Sequence, residues 1–482
     1  MAREAVAPLF QIPLIIAAVA VGFAIQLQDG EYTPAAISLI TVAIVCTALA
    51  VFVGRRACHE DESPTQATGV ATHHAVAGAL GVGLLLQLLT LLVAWPGVDL
   101  PREEGSALIP FRSGMLVIAG LLAVGGWIDV RRIRRWILPG FLIVFLALGG
   151  WMVHASPDPH IDVWVFESDA ARQLLRGHNP YAMTFPDIYH STLPGHQQVY
   201  GSGLVVGDRC QFGFPYPPVT LLLTTLGYLL GGDPRYAQVC ALALAGLFIA
   251  LSGRGRIALL AAALLLLTPR VFFVIGRAWT EPFAVMLLAA TIFCAVRRSR
   301  WLPVALGLFL ATKQYLVLAV PFTFFLLPPG WKWRDWIGLL VKSATVAAIV
   351  TLPFALWDFH AFWKSTVTVQ QIAPFRWDSL SYIVWWGFHG HGEQVKLPNY
   401  AVLPATIASL AALGFALWRS PRTAAGFAAS LALLSLAFFA FNKQAFCNYY
   451  IFVIGALGGA IAASMVRAGA TPPAPSVDRV RT

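Results

Sequence analysis

The chain has 482 residues, 58% of them hydrophobic and only 12% charged, with a mean hydropathy of +0.71, which excludes a soluble globule. Its formal net charge of +10 would suggest nucleic acid in a soluble protein. The basic residues fall in short clusters between apolar runs, where they orient membrane helices, so no nucleic-acid partner is expected.

From Arg3 an apolar stretch begins at about residue 10 with no A-x-A-like cleavage pattern, which reads as a retained helix. Apolar runs predict helices near 10–28, 34–54, 74–95, 110–129 and 136–153, followed by a long polar segment over 154–214. After it come 235–252, 256–275, 279–296, a broken stretch over 302–328, 336–355, a second polar segment over 356–400, and then 401–418, 423–441 and 446–465. The tail "ATPPAPSVDRVRT" is Pro-rich and is expected to be disordered. The six cysteines, Cys46, Cys58, Cys210, Cys240, Cys294 and Cys447, show no CxxC spacing, so neither a zinc site nor a disulfide framework is implied.

The basic clusters set the orientation. Arg55/Arg56, the run Arg131 to Arg135, Arg254/Arg256, Arg297/Arg298/Arg300, Lys332/Arg334, Arg419/Arg422 and Arg467 should share the cytoplasmic side. They do so if "FPYPPVTLLLTTLGYLLGG" (214–232) lies along the outer leaflet without crossing and if 302–328, interrupted by the polar "TKQ" at 312–314, counts twice. The expectation is an all-α polytopic membrane protein of about 14 crossings, both termini cytoplasmic and both long polar loops on the outer face.

Within the first loop, Val163, Phe166, Ala170 and Leu174 recur at helical spacing, so 162–176 reads as a short amphipathic helix on the outer membrane surface. Gly177 ends it and "HNPY" turns the chain. Asp162 is either the N-cap of this helix or a carboxylate placed for chemistry at the membrane–water boundary, with Asp158 close by. Basic or amide side chains recur at the same outer level: Arg270, Arg277, Lys313 with Gln314, and "NKQAFCNYY" (442–450). Intramembrane charges usually have partners or a role, and cations gathered around one outer cavity would suit a phosphate.

The order D-x3-F-x3-A-x3-L-x2-G-x-NPY from Asp162 to Tyr181, then "FPYPP" at 214–218, then "ATKQY" at 311–315, resembles the polytopic GT-C fold glycosyltransferases. More narrowly it resembles their bacterial branch of polyprenol-phosphate-mannose-dependent alpha-mannosyltransferases. The likeness spans roughly 136–465. It implies a seven-helix core with juxtamembrane outer-face helices, a catalytic Asp on the first outer loop, a lipid-phosphate sugar donor and a bacterial plasma-membrane location with an extracytoplasmic active site. The chain would then divide into extra transmembrane helices over 1–130, a GT-C-like core over 131–355 that includes the first outer loop 154–234, a second outer loop with C-terminal helices over 356–465, and a tail over 466–482. The four helices before the core depart from the family pattern, so no role for 1–130 follows from the likeness.

The resemblance makes Asp162 the general base, with Asp158 as second choice or as the residue fixing the turn "SPDPH". Lys313 would neutralise the leaving phosphate unless it merely snorkels, and Arg277, Arg270 and Gln314 are further donor-phosphate candidates. Glu281 reads as a helix-start acid. Substrate-binding candidates are Asn179, Tyr181, Tyr216, Asn442, Gln444 and Asn448, with Arg376 and Asp378 on the acceptor side. The aromatic-rich 357–386 suits either sugar stacking or a membrane interface. His154, His160, His178, His190 and His196 match no metal-ligand spacing, so no metal or other cofactor is expected, although a divalent cation stays open.

The expected reaction is inverting transfer of a sugar, mannose by resemblance, from a polyprenyl-phosphate donor to a glycolipid or glycan acceptor. The rival is a transporter or flippase of lipid-linked sugars. The hydropathy lacks the internal repeat and the paired broken helices that such carriers often have.

Overall fold

The computed structural model describes residues 6–59, 66–100, 108–127, 131–191, 199–390 and 402–465. Arg467, the expected disordered tail over 466–482 and His196 lie outside them. The described residues are helical apart from three two-residue strands. Among the described residues six helical stretches are long and apolar enough to cross a membrane and several shorter apolar helices accompany them, as in a polytopic membrane protein.

The first five helices are α1 (Val6–Gln26), α2 (Pro34–His59), α3 (Gln66–Val93), α4 (Ile109–Trp127) and α5 (Arg131–Ala155). α6 (Asp162–Leu175) buries Val163, Phe166 and Ala170, the apolar stripe its spacing predicts. Gly177, at φ +77°, closes it with paired bonds from its own amide to Leu174 and from His178 to Gln173, the two bonds of a Schellman end. Strands β1 (Phe185–Pro186), β2 (Val205–Val206) and β3 (Arg209–Cys210) form a small antiparallel sheet in the order β1-β3-β2, with Cys210 opposite both Phe185 and Val205. This sheet, with Phe166, Phe212 and Phe214, makes a second hydrophobic core over the main one.

α7 (Pro218–Gly231) packs along α6, its Thr224 hydroxyl on Glu167 at 3.0 Å. Asp233 just beyond its end accepts the Trp164 indole N–H at 3.3 Å, so that end of the helix lies beside the start of α6. There follow α8 (Arg235–Ser252), α9 (Gly255–Leu266), α10 (Val271–Gly276), α11 (Glu281–Val296) and α12 (Leu302–Leu310). The single helix expected over 256–275 is two, because Pro269 has no amide to continue the ladder and Arg270 takes a left-handed φ of +71°.

The broken stretch over 302–328 resolves into α12 and a 3-10 helix, Gln314–Leu326, separated by Lys313 in an extended conformation. At about 2.0 Å per residue the 3-10 geometry carries its 13 residues through roughly 26 Å, most of a hydrocarbon layer. α13 (Trp333–Trp357) precedes α14 (Phe359–Trp363), which continues through a π-turn at Lys364–Thr368 into α15 (Val369–Gln371). With α16 (Tyr382–Gly390), these give helical structure to a segment expected only as a polar loop. α17 (Leu403–Arg419), α18 (Ala424–Ala440) and α19 (Cys447–Ala463) complete the bundle.

α19 is buried along nearly its whole length against α1, α11 and α18. The first N-terminal helix is therefore built into the bundle, with Gln11 of α1 donating to Ser464 at 2.7 Å. Basic clusters collect away from Lys313. α11 runs from Glu281, beside Lys313, to Arg297, which reaches the end of α8 by donating to the Leu251 carbonyl at 2.8 Å. At the far end of the 3-10 helix, Phe324 lies under Arg422 and packs on Trp331 and Trp336.

Candidate functional site

At the Lys313 end of the bundle a cavity of about 500 Å³ is lined from widely separated stretches of chain, among them residues 29–31, 160–166, 199–216 and 444–449. A larger hollow of about 710 Å³ among α1, α2 and α3 is walled by apolar side chains and Gln26 and offers no chemistry.

Asp162 is half-buried on the cavity wall. It does not cap α6 from outside, as one reading of the sequence had it. Ile161 holds the cap position and Asp162 is the first helical residue, its carboxylate accepting the Val163 amide at 2.8 Å. Tyr200 donates its hydroxyl to Oδ2 at 3.1 Å and Tyr189 to Oδ1 at 3.4 Å, while the Asp162 amide donates to the Tyr189 oxygen at 3.1 Å. Burial pushes the carboxyl above the usual carboxylate range, against the hydroxyl of Tyr200 and the charge of Arg376, which draw it down. Burial, and then the charge of Asp162, raises both tyrosines in turn, so they stay protonated donors. A carboxylate has about four lone-pair positions. Three are taken, and one on Oδ2 remains.

Lys313 lies across the cavity and is not a free cation. Its ammonium meets Glu281 at 2.9 Å, both side chains being 5% exposed or less, and stands 4.2 Å from the centre of the Tyr216 ring. Glu281, expected only as a helix-start acid, is thus the counter-ion of the lysine, and Asn448 donates to its other oxygen. The other cations are matched likewise. Arg277 donates to the His160 carbonyl at 2.8 Å and approaches Asp99 at 3.5 Å, and Arg376 forks onto Asp378 at 2.9 and 2.6 Å. The cavity is a set of opposed charge pairs, where the cations around Asp162 were expected to be free for a phosphate.

Several sequence candidates stand elsewhere. Asp158 is exposed and is not on the cavity wall, because the turn at 156–160 points it to solvent. Arg270 is drawn off by Asp29 at 2.5 Å and donates to the Trp95 carbonyl at 2.9 Å, outside the lining. Gln314 donates to the carbonyls of Pro215 and Thr366, both at 2.9 Å, and so ties the two outer segments together. Tyr181 is buried, donating to the Tyr216 carbonyl at 2.9 Å, and Asn179 receives the Tyr181 amide at 3.0 Å. The NPY corner is a structural clasp: the Tyr181 carbonyl accepts Ser365 of the second segment, whose hydroxyl accepts the Gly213 amide. A side chain at Gly213 would run into the Tyr181 carbonyl 2.2 Å away.

Tyr216, Gln444, Asn448, Arg376 and Asp378 do line the cavity. Gln444 donates to the Pro374 carbonyl at 2.7 Å. Asn442 lies on an adjoining groove of about 350 Å³ that shares Tyr216, Lys313 and Gln444 with the cavity. This groove is polar near Lys313 and Lys443 and apolar along Val317, Leu318, Phe438 and Phe439. Among the described residues no group of three or more His, Cys, Asp or Glu side chains is placed to hold a metal ion.

The sequence reading missed Tyr189 and Tyr200, and it missed Asp29, Glu31 and Asp99 from the first hundred residues. Loop parity held a signal for the last three, since 29–33 and 95–108 fall on the same side as the first long loop when five helices are counted. Compared with family models, curated proteins and solved structures, the chain matches none of them.

Proposed function

We propose that the chain is a membrane glycosyltransferase of the GT-C kind that moves a sugar from a polyprenyl-phosphate donor to a hydroxyl of a glycan or glycolipid acceptor, with inversion. The observation that carries the reading is the Asp162 carboxylate: held by two tyrosine hydroxyls, made more basic by burial and left with an open lone pair, it faces the same cavity as Lys313 and Arg277. The order of motifs from Asp162 to Tyr315 supports the same reading, and mannose is the sugar that the resemblance suggests.

In this account the acceptor O–H gives its proton to Asp162 Oδ2 as its oxygen attacks the anomeric carbon. The bond from that carbon to the phosphate oxygen breaks, and its electron pair leaves with the polyprenyl phosphate. The phosphate gains charge in that step, so donors aimed at it act mainly in the transition state. The Lys313 ammonium is paired with Glu281 by charge, without a hydrogen bond to its Oε1, and with the face of Tyr216, so it keeps N–H donors for phosphate. Arg277 likewise spends Nη1 on His160 and Nε on Asp99 and keeps Nη2. The groove beside Lys313, polar at the neck and apolar beyond, suits the prenyl chain. Basic residues at the opposite end of the bundle support an extracytoplasmic cavity, and the bacterial plasma membrane is the location that the resemblance suggests.

The test is purified protein with radiolabelled polyprenyl-phosphate mannose and a panel of alkyl glycosides. The unaltered chain should transfer label, and Asp162→Asn should lose roughly 10³-fold in rate, the range of one general base. Lipid binding should survive the change. Undiminished transfer by the Asn variant defeats the assignment. Transbilayer movement of the lipid without transfer by either form would favour the carrier.

A further inference from the structure

We infer that the connection between α1 and α2, residues 29–31, is the acceptor-side wall of this cavity, where the Glu31 carboxylate and the Asn448 carbonyl oxygen receive the hydroxyls of a neutral sugar. The inference rests on the transferase reading and concerns a part of the chain to which the family likeness gives no role.

Three observations support it. Asp29, Gly30 and Glu31 all line the cavity, although they lie far in sequence from every other lining residue. Their placement is fixed: Asp29 is held by Arg270 at 2.5 Å, and Gly30, at φ +85°, sits so close on α19 that a Cβ would be 2.8 Å from the Cys447 Cβ. Next to Cys447, Asn448 also lines the cavity, is 4% exposed, and leaves its Oδ1 without a hydrogen-bond partner, its amide nitrogen being spent on Glu281.

With Asp29 engaged, the Glu31 carboxylate has, among the described residues, Gln28 as its one hydrogen-bond partner, at 3.4 Å, and no ion pair. Burial and the nearby charges of Asp378 and Asp29 push its carboxyl upward, and Arg376 opposes them. Charge then sorts the two substrates. Asp29 and Asp378 are matched by Arg270 and Arg376, so Glu31 is the acid of this wall that repels a phosphate, while Lys313 and Arg277 keep donors for one. A wall rich in acceptors instead fits a ligand rich in O–H donors, and hydrogen bonds to a carboxylate are the stronger kind.

The experiment measures both Michaelis constants for Glu31→Ala and Glu31→Gln, with polyprenyl-phosphate mannose as donor and octyl mannoside and octyl glucoside as acceptors. Loss of one hydrogen bond to a charged group predicts an acceptor KM raised about tenfold or more in Glu31→Ala. Glu31→Gln, which keeps an acceptor oxygen, should be raised less, and the donor KM should hold within about twofold in both. An unchanged acceptor KM, or equal rises in both constants, overturns the inference while the transferase reading stands. No transfer by the unaltered chain to either glycoside overturns the inference together with that reading.

Discussion

Breaking the buried pair between Lys313 and Glu281 tests whether the lysine serves a ligand or the fold. At 2.9 Å and an effective dielectric of about 20, the gross attraction is about 6 kcal/mol. Desolvation of both groups offsets much of it, so the net worth of the pair is far smaller than the cost of orphaning one member, about 3–5 kcal/mol. Glu281→Gln keeps an oxygen for Asn448 but strands the ammonium against the Tyr216 ring, whose cation–π attraction contributes about 2 kcal/mol. Lys313→Met strands the carboxylate. Each single variant should lose about 3–5 kcal/mol in equilibrium unfolding from mixed micelles, and the double variant should cost less than their sum by at least about 2 kcal/mol. Added polyprenyl phosphate then separates the roles. At about 100 times its Kd it should stabilise the unaltered chain by about 2.7 kcal/mol and the double variant by much less. Additivity of the two substitutions within about 0.5 kcal/mol would refute the pairing. Equal stabilisation by the lipid with and without Lys313 would remove the lysine from the phosphate site.

Asp162 carries a pH signature. Its carboxyl is raised by burial, so the folded chain keeps that proton where the unfolded chain has lost it. The group therefore favours folding at low pH, and the advantage is lost as the pH rises through the folded value. Transfer needs the ionised form, so the acid limb of kcat/KM should lie above the ordinary Asp value of about 3.9, and Tyr200→Phe, which deletes a bond that draws the pKa down, should move it to higher pH. A limb at or below the ordinary value, or one unmoved in the variant, counts against Asp162 as the base. Gly30→Ala places a Cβ 2.8 Å from the Cys447 Cβ at a φ of +85°, so it should destabilise the chain by about 1–3 kcal/mol as read by thermal unfolding in detergent. An unchanged melting temperature would mean that the seat of residues 29–31 on α19 is looser than its geometry.

Apolar run length located the helices, because a backbone in hydrocarbon has few ways to satisfy itself. It failed where backbone chemistry overrides hydropathy. Pro269 and the left-handed Arg270 divide what hydropathy reads as one span, and the 3-10 geometry of Gln314–Leu326 leaves no mark in composition. Local features placed Asp162 at the start of an amphipathic helix with a glycine stop after a crossing, which left it a cap or a reactive carboxylate, and the resemblance chose the base. Its tyrosine partners could not be placed, since Tyr189 and Tyr200 lie 27 and 38 residues away with no periodic relation to it. Arg270 and Lys313 read alike in sequence as cations beside apolar helices. Only the packing of Asp29 on one and Glu281 on the other separates them.

That the cations are paired bears on how such a site would hold an anion. An unpaired lysine in a low-dielectric hollow carries a large desolvation penalty, which an opposed carboxylate offsets. Glu281 sits at the start of α11, where the helix macrodipole stabilises it, and Asn448 holds its second oxygen, so the acid needs no movement when the lysine turns part of its charge to a ligand. The cost falls on affinity, because an arriving phosphate shares each cation with a resident acid. Such a site gains most when the ligand's charge grows, as it does when a phosphodiester sheds its sugar and becomes a monoester. A carrier has no step in which that charge changes. Tighter binding of polyprenyl phosphate than of its sugar-bearing form, lost on Lys313→Met, is therefore the pattern that separates transfer from carriage. Equal affinity for the two lipids would take away the electrostatic reason for preferring the enzyme.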